Sequence, residues 1–600
     1  MFVWSNKELN IEQSEAVLSP ENVLLVACPG SGKTRALIYK AAYELSKISS
    51  TKKKILAITY TNNAADEIRE RIENMGVETE QLWIGTIHSF CLQWILRPYS
   101  NLIEDLKYGF GIIDAYDAEC SKDYFLYDQN HKLNKYNSSC YYDVDGLKVR
   151  SSNIHSATIA FNKYFELLKI NKQIDFDLIL YYSYKLLKIK PYIGKLLSQI
   201  FPYILIDEYQ DTTNLQYNIM SKIVNQEQQK SQMFIVGDPN QSIFKSLGGF
   251  SMPQKELEKL TNLKFTEKQL SKNYRSSEKI VNYYDKFKVY GNNIEAVGLF
   301  KDFSSQIYYN NSILHEDKSL FQEIKEIVKL NIENYNIPEN KICILAPHWN
   351  MVSPIVRYLS EQLPEYRFNG PGLVPFCHDR ENIWFRLSKI LLTQASPEIY
   401  LRRKRWANEF IEALELAEVN CENIDASKVL CTCNGLEVCE NDGLEYLKIS
   451  FIKFLDKLKI KIEIYPMLKA HYQAFFKISK DKIDKWNSDG LEYISTVEHF
   501  RKVFKEKEGI TITIIHKVKG LEFDTVIAFG LLDGILPHYS IPEVEKGNEQ
   551  KRFLFVISSR ARKHLFLFSE KRKDNYTKKY RHPTPELNTY KYSYNNEIIE

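Results

Sequence analysis

The chain lacks the sequence features of secreted and membrane proteins. It has ten cysteines in 600 residues, which is too few for a disulfide framework. No apolar run reaches the roughly 18 residues that a membrane-spanning helix needs. The first ten residues, MFVWSNKELN, also lack the layout of a signal peptide. These absences predict a cytoplasmic protein with no membrane partner.

The chain also lacks a strong net charge and internal repeats. Its 80 Lys and Arg residues nearly balance its 76 Asp and Glu residues, which leaves a formal net charge of +4. A surface that binds nucleic acid must therefore come from local patches rather than from the overall balance. No solenoid repeat and no long disordered linker is found. A chain of this length is expected to fold as about four units.

Four of the cysteines lie close together, at positions 421, 431, 433 and 439. Cys421, Cys431, Cys433 and Cys439 fall within 19 residues, so a zinc site or an iron–sulfur cluster is one interpretation. The usual CxxC spacing is absent and no paired histidines follow. Reduced, unpaired thiols are therefore the preferred interpretation.

Strand and helix patterns alternate along two parts of the chain. Predicted strands at Asn22–Ala27 and Ile55–Tyr60 are each followed by a helix pattern, the second over residues 62–75 with apolar residues at helical spacing. The alternation fades between about 91 and 171 and resumes at FPYILIDEYQD. A second such region begins at KICILAPHWN and returns at TITIIHKVKGLEFDTVIAFG after a helix-rich segment. Such alternation predicts parallel sheets covered by helices, with an insertion in each half.

The segment VLLVACPGSGKTRAL, from Val23 to Leu37, matches a phosphate-binding loop. An apolar strand breaks at a Gly- and Ser-rich turn, and Gly-Lys-Thr opens a helix whose N-terminus attracts phosphate. Only the first glycine of the motif is missing, because Ala27 stands there. Lys33 would contact the β- and γ-phosphates, and the Thr34 hydroxyl would ligate Mg²⁺. A chance Gly/Ser turn is disfavoured by the strand before it and the helix after it.

The segment YILIDEYQDT supplies the carboxylates that an ATPase needs. Four apolar residues end in Asp207 and Glu208, as when a buried strand delivers acidic groups at its carboxyl end. Asp207 would hold Mg²⁺ and Glu208 would polarise the attacking water. Alone, such a pair is typical of a solvated strand end. Together with the phosphate-binding loop, it predicts ATP hydrolysis.

With these motifs the sequence resembles superfamily 1 DNA helicases of the UvrD/Rep/PcrA type, in the family order from Leu9 to Ala561. The resemblance implies an α/β fold with two RecA-like parallel-sheet P-loop domains, each carrying a mainly helical inserted subdomain. It implies four parts: residues 1–90 and 172–285 for domain 1A, 91–171 for subdomain 1B, 286–375 and 506–600 for domain 2A, and 376–505 for subdomain 2B.

The resemblance also assigns residues around ATP. LNIEQSEAV resembles the Q motif, VGDPNQSIF the third motif and LSKNYRSS the fourth, while HKVKGLEFD and FVISSRARKHL resemble the last two. The implied catalytic residues are Lys33, Glu208, Gln241, Arg275 and Arg560, the last as an arginine finger. The implied nucleotide-binding residues are Gln13 at the adenine edge, Pro29, Gly30, Ser31, Gly32, Lys33, Thr34, Arg35, Tyr274 stacked on adenine, and Glu522 near the ribose. Thr34 and Asp207 are the implied Mg²⁺ ligands.

The same resemblance implies contacts to DNA. TYTNNAADEI and IGTIHSF resemble motifs Ia and Ib, and the implied contacts are Tyr60, Asn62, Thr86, His88, Phe244 and His516. The implied partners are single-stranded DNA and duplex with a 3′ overhang, and the implied polarity is 3′→5′. A core position for Tyr60 and a structural role for His88 remain the alternatives.

The chain departs from the family at three positions. Ser246 and Leu247 stand where the family usually has Trp and Arg after the third motif, and Ile514 replaces a usual Thr. Loss of a stacking platform predicts weak, poorly processive unwinding, because aromatic stacking holds bases.

The departures leave a rival function open. A DNA- or nucleotide-sensing ATPase subunit would activate a separate nuclease and unwind little. No nuclease signature follows the last motif, and compact helicases of this type resemble those paired with a nuclease in phage-defence systems of the Gabija kind. A generic P-loop NTPase that acts on protein or RNA is disfavoured by DEYQDT, NYRSS and SSRARKHL.

Overall fold

The computed structural model describes most of the chain. The described residues are 2–113, 115–127, 133–134, 137–226, 231–245, 248–314, 319–370, 374–379, 381–488, 492–504, 508–537, 541, 543–574, 578–589 and 592–595. Ser246 and Leu247, on which the prediction of weak unwinding depends, lie outside them. The chain divides into two compact units, one formed by Met1–Ile355 with Thr513–Glu600 and the other by Val356–Ile512.

Strands run along nearly the whole chain. They are β1 (Asn22–Ala27), β2 (Ile55–Thr59), β3 (Leu82–Thr86), β4 (Gly111–Ile112), β5 (Ser138–Asp143), β6 (Gly146–Ser151), β7 (Gln173–Ile174), β8 (Tyr203–Ile206), β9 (Gln232–Gly237), β10 (Phe265–Leu270), β11 (Lys272–Asn273), β12 (Glu295–Ala296), β13 (Ile307–Asn310), β14 (Ile342–Ala346), β15 (Phe368–Asn369), β16 (Ile510–Ile514), β17 (Phe523–Ala528) and β18 (Ala561–Phe568).

Helices separate most of these strands. They are α1 (Ile11–Leu18), α2 (Lys33–Leu45), α3 (Asn62–Asn74), α4 (Ile87–Cys91), α5 (Arg97–Tyr99), α6 (Ala115–Leu126), α7 (Ile154–Ile170), α8 (Phe176–Ile189), α9 (Pro191–Ile200), α10 (Asn214–Val224), α11 (Gln254–Thr261), α12 (Glu278–Asp285), α13 (Ser319–Glu333), α14 (Trp349–Gln362), α15 (Ile383–Leu391), α16 (Tyr400–Leu416), α17 (Ala426–Asn434), α18 (Gly443–Leu458), α19 (Pro466–Ser488), α20 (Val497–Lys502), α21 (Glu543–Ser558) and α22 (Pro585–Thr589).

The first lobe of the larger unit is built on a parallel sheet in the order β10-β1-β9-β8-β2-β3. Successive residues of its inner strands point to opposite cores. Leu24 and Leu56 belong to one cluster of buried residues, whereas Val23, Leu25 and Ile55 belong to another. Both faces of the sheet are therefore covered, which explains why its strands read as continuous apolar runs rather than as alternating ones.

The second lobe of the same unit is built on another parallel sheet, with β13, β18, β17 and β14 side by side. Helix α12 packs in its core, since Ile280 and Tyr283 share a buried cluster with Cys343 and Leu565. The two parallel sheets confirm the predicted α/β fold class. The predicted division of the chain into four parts stays a prediction.

The smaller unit is mainly helical. Its core is a cluster that includes Trp384, Phe410, Phe451 and Phe475, all buried. Strands β15 and β16 pair in parallel, with Phe368 opposite Ile510. None of the helices in the described part of the chain is both long enough and apolar enough to cross a membrane.

Candidate functional site

The phosphate-binding loop joins the carboxyl end of β1 to α2. Gly30 and Gly32 take the left-handed conformation, with φ of +68° and +77°, which a side chain at either position would strain. The Ser31 hydroxyl donates to the Cys28 carbonyl at 2.7 Å and closes the turn. Gly32 caps α2, so Lys33 and Thr34 are its first two residues. The loop thus presents the helix N-terminus that phosphate binding requires.

A segment just after β10 lies against this loop. The Asn273 amide donates to the Pro29 carbonyl at 2.6 Å, and the Tyr274 N–H donates to the Gly30 carbonyl at 3.0 Å. A Cβ at Gly30 would lie only 2.6 Å from the Cβ of Arg275. Gly30 is therefore needed both for its backbone conformation and for this close approach.

Two acidic residues at the carboxyl end of β8 face the loop. The Lys33 ammonium lies 2.6 Å from Glu208 Oε1. Glu208 itself has φ of +52°, unusual for a residue with a side chain. The Glu208 N–H donates to Asp207 Oδ1 at 3.0 Å. Backbone strain at such a position is common where a side chain must be aimed, and here it aims Glu208 at Lys33.

Burial and charge set the protonation of this cluster. Burial lowers the pKa of Lys33, but the carboxylates of Glu208, Asp207 and Asp238 outweigh it and raise that pKa above its ordinary value. Burial and the Glu208 charge raise the pKa of Asp207 to about 7. Burial also raises the pKa of Glu208, but the ammonium groups of Lys33 and Lys519 reverse this and lower it to about 2. The two lysines therefore favour the charged form of Glu208.

A chain of hydrogen bonds links the first lobe to Arg560 of the second. The Gln241 amide donates to Asp238 Oδ2 at 2.6 Å, and Gln241 Oε1 accepts from Arg560 Nη2 at 2.8 Å. Arg560 is 2% exposed and also donates to the carbonyls of Leu521 and Val556. Burial and the neighbouring Arg275 lower the pKa of Arg560 to about 9. The guanidinium is thus desolvated and held by fixed acceptors from both lobes.

Arg275 joins the phosphate-binding loop to the second lobe. Its Nε donates to Glu522 Oε2 at 2.7 Å, and its Nη1 donates to the Ser559 carbonyl at 2.9 Å. Glu522 also accepts from Arg562. Burial raises the pKa of Glu522, but Arg275 and Arg562 lower it to about 2.

The residues predicted around adenine lie at the outer edge of the loop. The Gln13 amide donates to the Ser31 carbonyl at 2.8 Å, while its Oε1 accepts from the Asn10 N–H in the capping box of α1. The Asn10 amide donates to the Tyr274 hydroxyl at 2.8 Å, and Tyr274 is 45% exposed. Arg35 is exposed and donates to the Glu8 carbonyl. Gln13 is therefore tied to the loop, and Tyr274 offers an open ring face.

The carboxylates fit the predicted magnesium ion. Mg²⁺ takes oxygen ligands and is usually held by one or two carboxylates together with substrate phosphates. Asp207 supplies a buried carboxylate whose pKa is raised by burial and by the neighbouring Glu208 charge, and Thr34 is half-buried at the start of α2. Within the described residues no group of three or more His, Cys, Asp or Glu side chains could hold a metal.

Lys519 is a site residue that the motif analysis did not single out. Lys519 lies in the second lobe, five residues after the end of β16. Its ammonium donates to Asp211 Oδ2 and to the Gln241 carbonyl, the latter at 2.9 Å. It also lies 3.8 Å from Glu208 Oε2. Lys519 is the second lysine of HKVKGLEFD, and its partner Asp211 lies 308 residues away in the sequence.

Three of the residues predicted to contact DNA form a row of rings. Tyr60 and Phe244 lie 5.0 Å apart, Phe244 and His516 lie 5.5 Å apart, and Phe553 continues the row at 5.4 Å from His516. Tyr60 is 42% exposed, which argues against a core position. Burial lowers the pKa of His516 to about 4, so its ring is neutral at pH 7. The row runs from the first lobe to the second.

The other three predicted DNA contacts lie at or near the starts of helices α3 and α4. Thr86 caps α4 by accepting from the Ser89 N–H at 3.3 Å, and Asn62 is the first residue of α3. The His88 ring packs edge-on against Phe176 at 5.7 Å, and burial lowers the pKa of His88 to about 4. Phe176 is 42% exposed. The sequence motifs did not identify Phe176, because it lies in α8, far from His88 in the sequence.

The four neighbouring cysteines lie in the smaller unit. Cys431 and Cys439 are exposed, Cys421 is partly buried, and Cys433 is buried. Burial raises the pKa of Cys433 to about 12, so this thiol stays protonated. The preference for reduced, unpaired thiols at these four positions stays a prediction.

Comparisons with known proteins bear on both lobes. The family model of the UvrD/REP helicase N-terminal domain matches residues 9–249, and that of the UvrD-like helicase C-terminal domain matches residues 450–572. A protein named ATP-dependent DNA helicase PcrA from Staphylococcus epidermidis is 26% identical over 94% of this chain and 83% of its own length. The protein of the same name from Staphylococcus aureus is 26% identical over 93% of this chain and 83% of its own.

Proposed function

Because this chain belongs to the family of UvrD-like helicases, we propose that it is an ATP-dependent DNA helicase that moves 3′→5′ along single-stranded DNA. One observation supports this more than any other. The groups that would surround the terminal phosphate come from both lobes, since Lys33 and Glu208 lie on the first and Arg560 on the second. A nucleotide bound there would touch both lobes at once.

The chemistry of hydrolysis follows from the roles of these side chains. Lys33 and the loop N–H groups hold the phosphates, while Glu208 orients the water that attacks the γ-phosphorus. Thr34 and Asp207 would hold Mg²⁺, which would supply positive charge to the phosphates. Arg560 and Arg275 stabilise the negative charge of the transition state, because their guanidinium groups are already oriented by fixed partners.

Motion along DNA follows from the position of these contacts. ATP draws the lobes together through charge-assisted contacts, and hydrolysis with phosphate release weakens them. Each turnover therefore closes and opens the junction once. The ring row runs between the same two lobes, so this motion changes the spacing of the side chains that would hold the bases.

Single-stranded DNA is the substrate that suits the ring row. Stacking needs unpaired bases and tolerates any sequence, as a translocating enzyme requires. Tyr60 and Phe244 offer such rings, and Phe176 beside His88 offers another. The neutral histidines favour stacking over phosphate binding.

Strand displacement from a short duplex tests the proposal. The duplex carries a 3′ tail, a 5′ tail or no tail, and ATP hydrolysis is measured in parallel with and without a single-stranded oligonucleotide. We expect hydrolysis to rise with the oligonucleotide and displacement to need the 3′ tail. Arg560→Ala should hydrolyse ATP about 10³-fold more slowly. In the absence of ATP, it should bind the oligonucleotide as tightly as the unmodified chain does. Arg581→Ala, at an arginine that pairs with Asp574 in the same lobe, is the matched control.

The outcomes separate the parts of the proposal. Displacement with the 5′ tail alone would reverse the polarity and leave the helicase activity intact. Hydrolysis that rises with DNA but brings no displacement would favour the DNA-sensing ATPase instead. Hydrolysis indifferent to DNA would overturn the proposed function.

A further inference from the structure

Lys519 is placed to interact with three parts of the site at once. Its ammonium donates to Asp211 Oδ2 and lies 3.8 Å from Glu208 Oε2 and 5.6 Å from the centre of the Phe244 ring. The lysine side chain is 7% exposed and the Asp211 side chain is fully buried. One cation therefore lies beside a buried carboxylate, the predicted catalytic carboxylate and a predicted base platform.

Asp211 is rigidly held, whereas Lys519 has a long side chain. The Asp211 N–H donates to the Glu208 carbonyl at 2.9 Å in the single turn Tyr209–Asp211. A Cβ at Gly249 would lie 2.8 Å from the Asp211 carbonyl oxygen, so this backbone is closely packed. Within the described residues, Asp211 Oδ1 has no hydrogen-bond partner. The Asp211 carboxylate thus has Lys519 as its side-chain partner, and it holds that ammonium together with the Gln241 carbonyl, which accepts from Lys519 at 2.9 Å.

The position of this ammonium matters for Glu208. A cation in direct contact with a carboxylate competes with water for the lone pairs of its oxygen atoms. Asp211 draws the Lys519 ammonium into direct contact and leaves it 3.8 Å from Glu208. Without Asp211 the ammonium would pair with Glu208, the nearest remaining carboxylate.

The Phe244 ring connects the same cation to the DNA row. Phe244 lies between Tyr60 and His516, and the Lys519 ammonium is within cation–π range of its ring. A base stacked on Phe244 would share this ring with the Lys519 ammonium, whose other partners are Asp211 and Glu208.

We propose that Asp211 is a positioning residue that, through Lys519, couples the binding of bases at Tyr60 and Phe244 to the readiness of Glu208 to activate water. The inference rests on the proposed function, since it explains how DNA would stimulate ATP hydrolysis. Asp211 touches neither nucleotide nor DNA in this scheme. Its effect passes entirely through Lys519.

A double-mutant cycle tests this coupling. The full chain and its variants Asp211→Asn, Lys519→Met and the double variant are assayed for kcat and KM of ATP, with and without an oligothymidine. Asp211→Asn should reduce the stimulation of kcat by DNA about tenfold, within the range of ordinary coupling between sites. Its KM for ATP and its affinity for the oligonucleotide should stay within about twofold. The double variant should be no worse than Lys519→Met, because non-additivity marks residues that act through each other.

Glu409→Gln is the matched control. Glu409 lies 2.9 Å from the Lys389 ammonium in the smaller unit, and Lys389, like Lys519, is 7% exposed. The control makes the same change from carboxylate to amide beside a buried lysine. DNA stimulation should be that of the unmodified chain.

Each remaining outcome decides between the two proposals. An unmodified chain without DNA stimulation would overturn the proposed function and this inference with it. Normal stimulation in Asp211→Asn, or losses that add in the double variant, would overturn the inference alone. If Asp211→Asn does not fold, as judged by its thermal melt, Lys519→Met tests the link from the other partner. Unchanged stimulation in that variant would also overturn the inference.

Discussion

The Lys33 ammonium compensates the charge of three buried carboxylates as well as facing the predicted phosphates. Glu208 is its direct partner at 2.6 Å, and the charges of Asp207 and Asp238 also raise its pKa. Removing one such positive group from a phosphate site costs about 10²–10³ in rate. We therefore expect Lys33→Met to lose at least about a hundredfold in ATP hydrolysis.

A phosphate-release assay checks this prediction at saturating ATP. Lys47→Met is the control, because Lys47 lies just after the same helix, is partly exposed and pairs with Glu44. The control should hydrolyse ATP at the normal rate. Comparable hydrolysis by Lys33→Met would show that another cation neutralises the phosphates.

Glu570 gives a pH dependence of stability that is separate from the ATP site. It is fully buried, its Oε2 accepts from the Gly530 N–H at 2.9 Å, and burial raises its pKa from 4.5 to about 7. Between these pH values the folded state binds the proton more tightly than the unfolded state. Stability from this group therefore falls as pH rises from about 4.5 to 7 and is lowest above that.

Glu570→Gln should remove this pH dependence. We expect the variant to be more stable than the unmodified chain at pH 8, by up to about 3 kcal/mol, and the advantage to vanish near pH 5. Thermal melts at pH 5, 6, 7 and 8 measure the difference. Glu543→Gln, at an exposed position, should show none. An advantage that does not change with pH would contradict the assignment to Glu570.

At the scale of elements, the phosphate-binding loop allows a matched pair of glycine variants. Gly30 and Gly76 both have positive φ, +68° and +73°. A Cβ at Gly76 meets nothing within 4 Å, whereas one at Gly30 would lie 2.6 Å from the Arg275 Cβ. Both alanine variants incur left-handed strain of about 1–2 kcal/mol. Only Gly30→Ala pushes the loop away from its neighbour.

We expect Gly30→Ala to bind a fluorescent ATP analogue at least about tenfold more weakly, since small misplacements at such sites cost up to 10²-fold. Gly76→Ala should bind it normally and lose only a little thermal stability. Equal nucleotide binding by the two variants would mean that the loop tolerates displacement from Arg275.

The elements themselves were largely predictable from sequence. The strand at Asn22–Ala27 is confirmed, and β2 ends at Thr59, one residue before the prediction. Ala65, Ile68 and Ile72 are buried in α3 as their spacing predicts. Apolar runs and helical spacing are local signals, so short segments suffice to find them. The order of strands in the sheet is not local, and the sequence does not indicate that β1 lies between β9 and β10.

Contacts between distant segments explain what the site prediction missed. Lys519 meets Asp211 across 308 residues of sequence, and Phe176 meets His88 from a different helix. Neither pair has a periodic signal, because each forms only when the lobes or helices pack. Gly30 was predictable in part. The loop motif predicts a glycine at this position, but only the structure shows that the close approach of Arg275 also requires it.

At the scale of the whole molecule, the predicted DNA-binding residues carry little positive charge. The predicted contacts Tyr60, Asn62, Thr86, His88, Phe244 and His516 are uncharged at pH 7, since burial lowers the pKa of both histidines to about 4. The net charge of the chain is only +4. Affinity for single-stranded DNA falls with salt by a slope of about 0.7 per neutralised phosphate. Binding by base stacking therefore predicts that affinity depends only weakly on salt concentration.

We expect the logarithm of the association constant for oligothymidine to fall with the logarithm of salt by a slope of less than about 3, because few phosphates are neutralised. The slope should be the same at pH 6 and pH 8, because the histidines would gain charge only near pH 4. Fluorescence anisotropy of a labelled oligonucleotide measures both slopes.

Phe244→Ala should weaken binding without changing the slope, because a ring stacks on bases and carries no charge. Lys517→Ala, which removes an exposed cation near Trp349, should at most lower the slope by about 0.7. A slope near 7, or one that steepens at pH 6, would mean that phosphate contacts hold the strand, and the ring row would then serve only to join the two lobes.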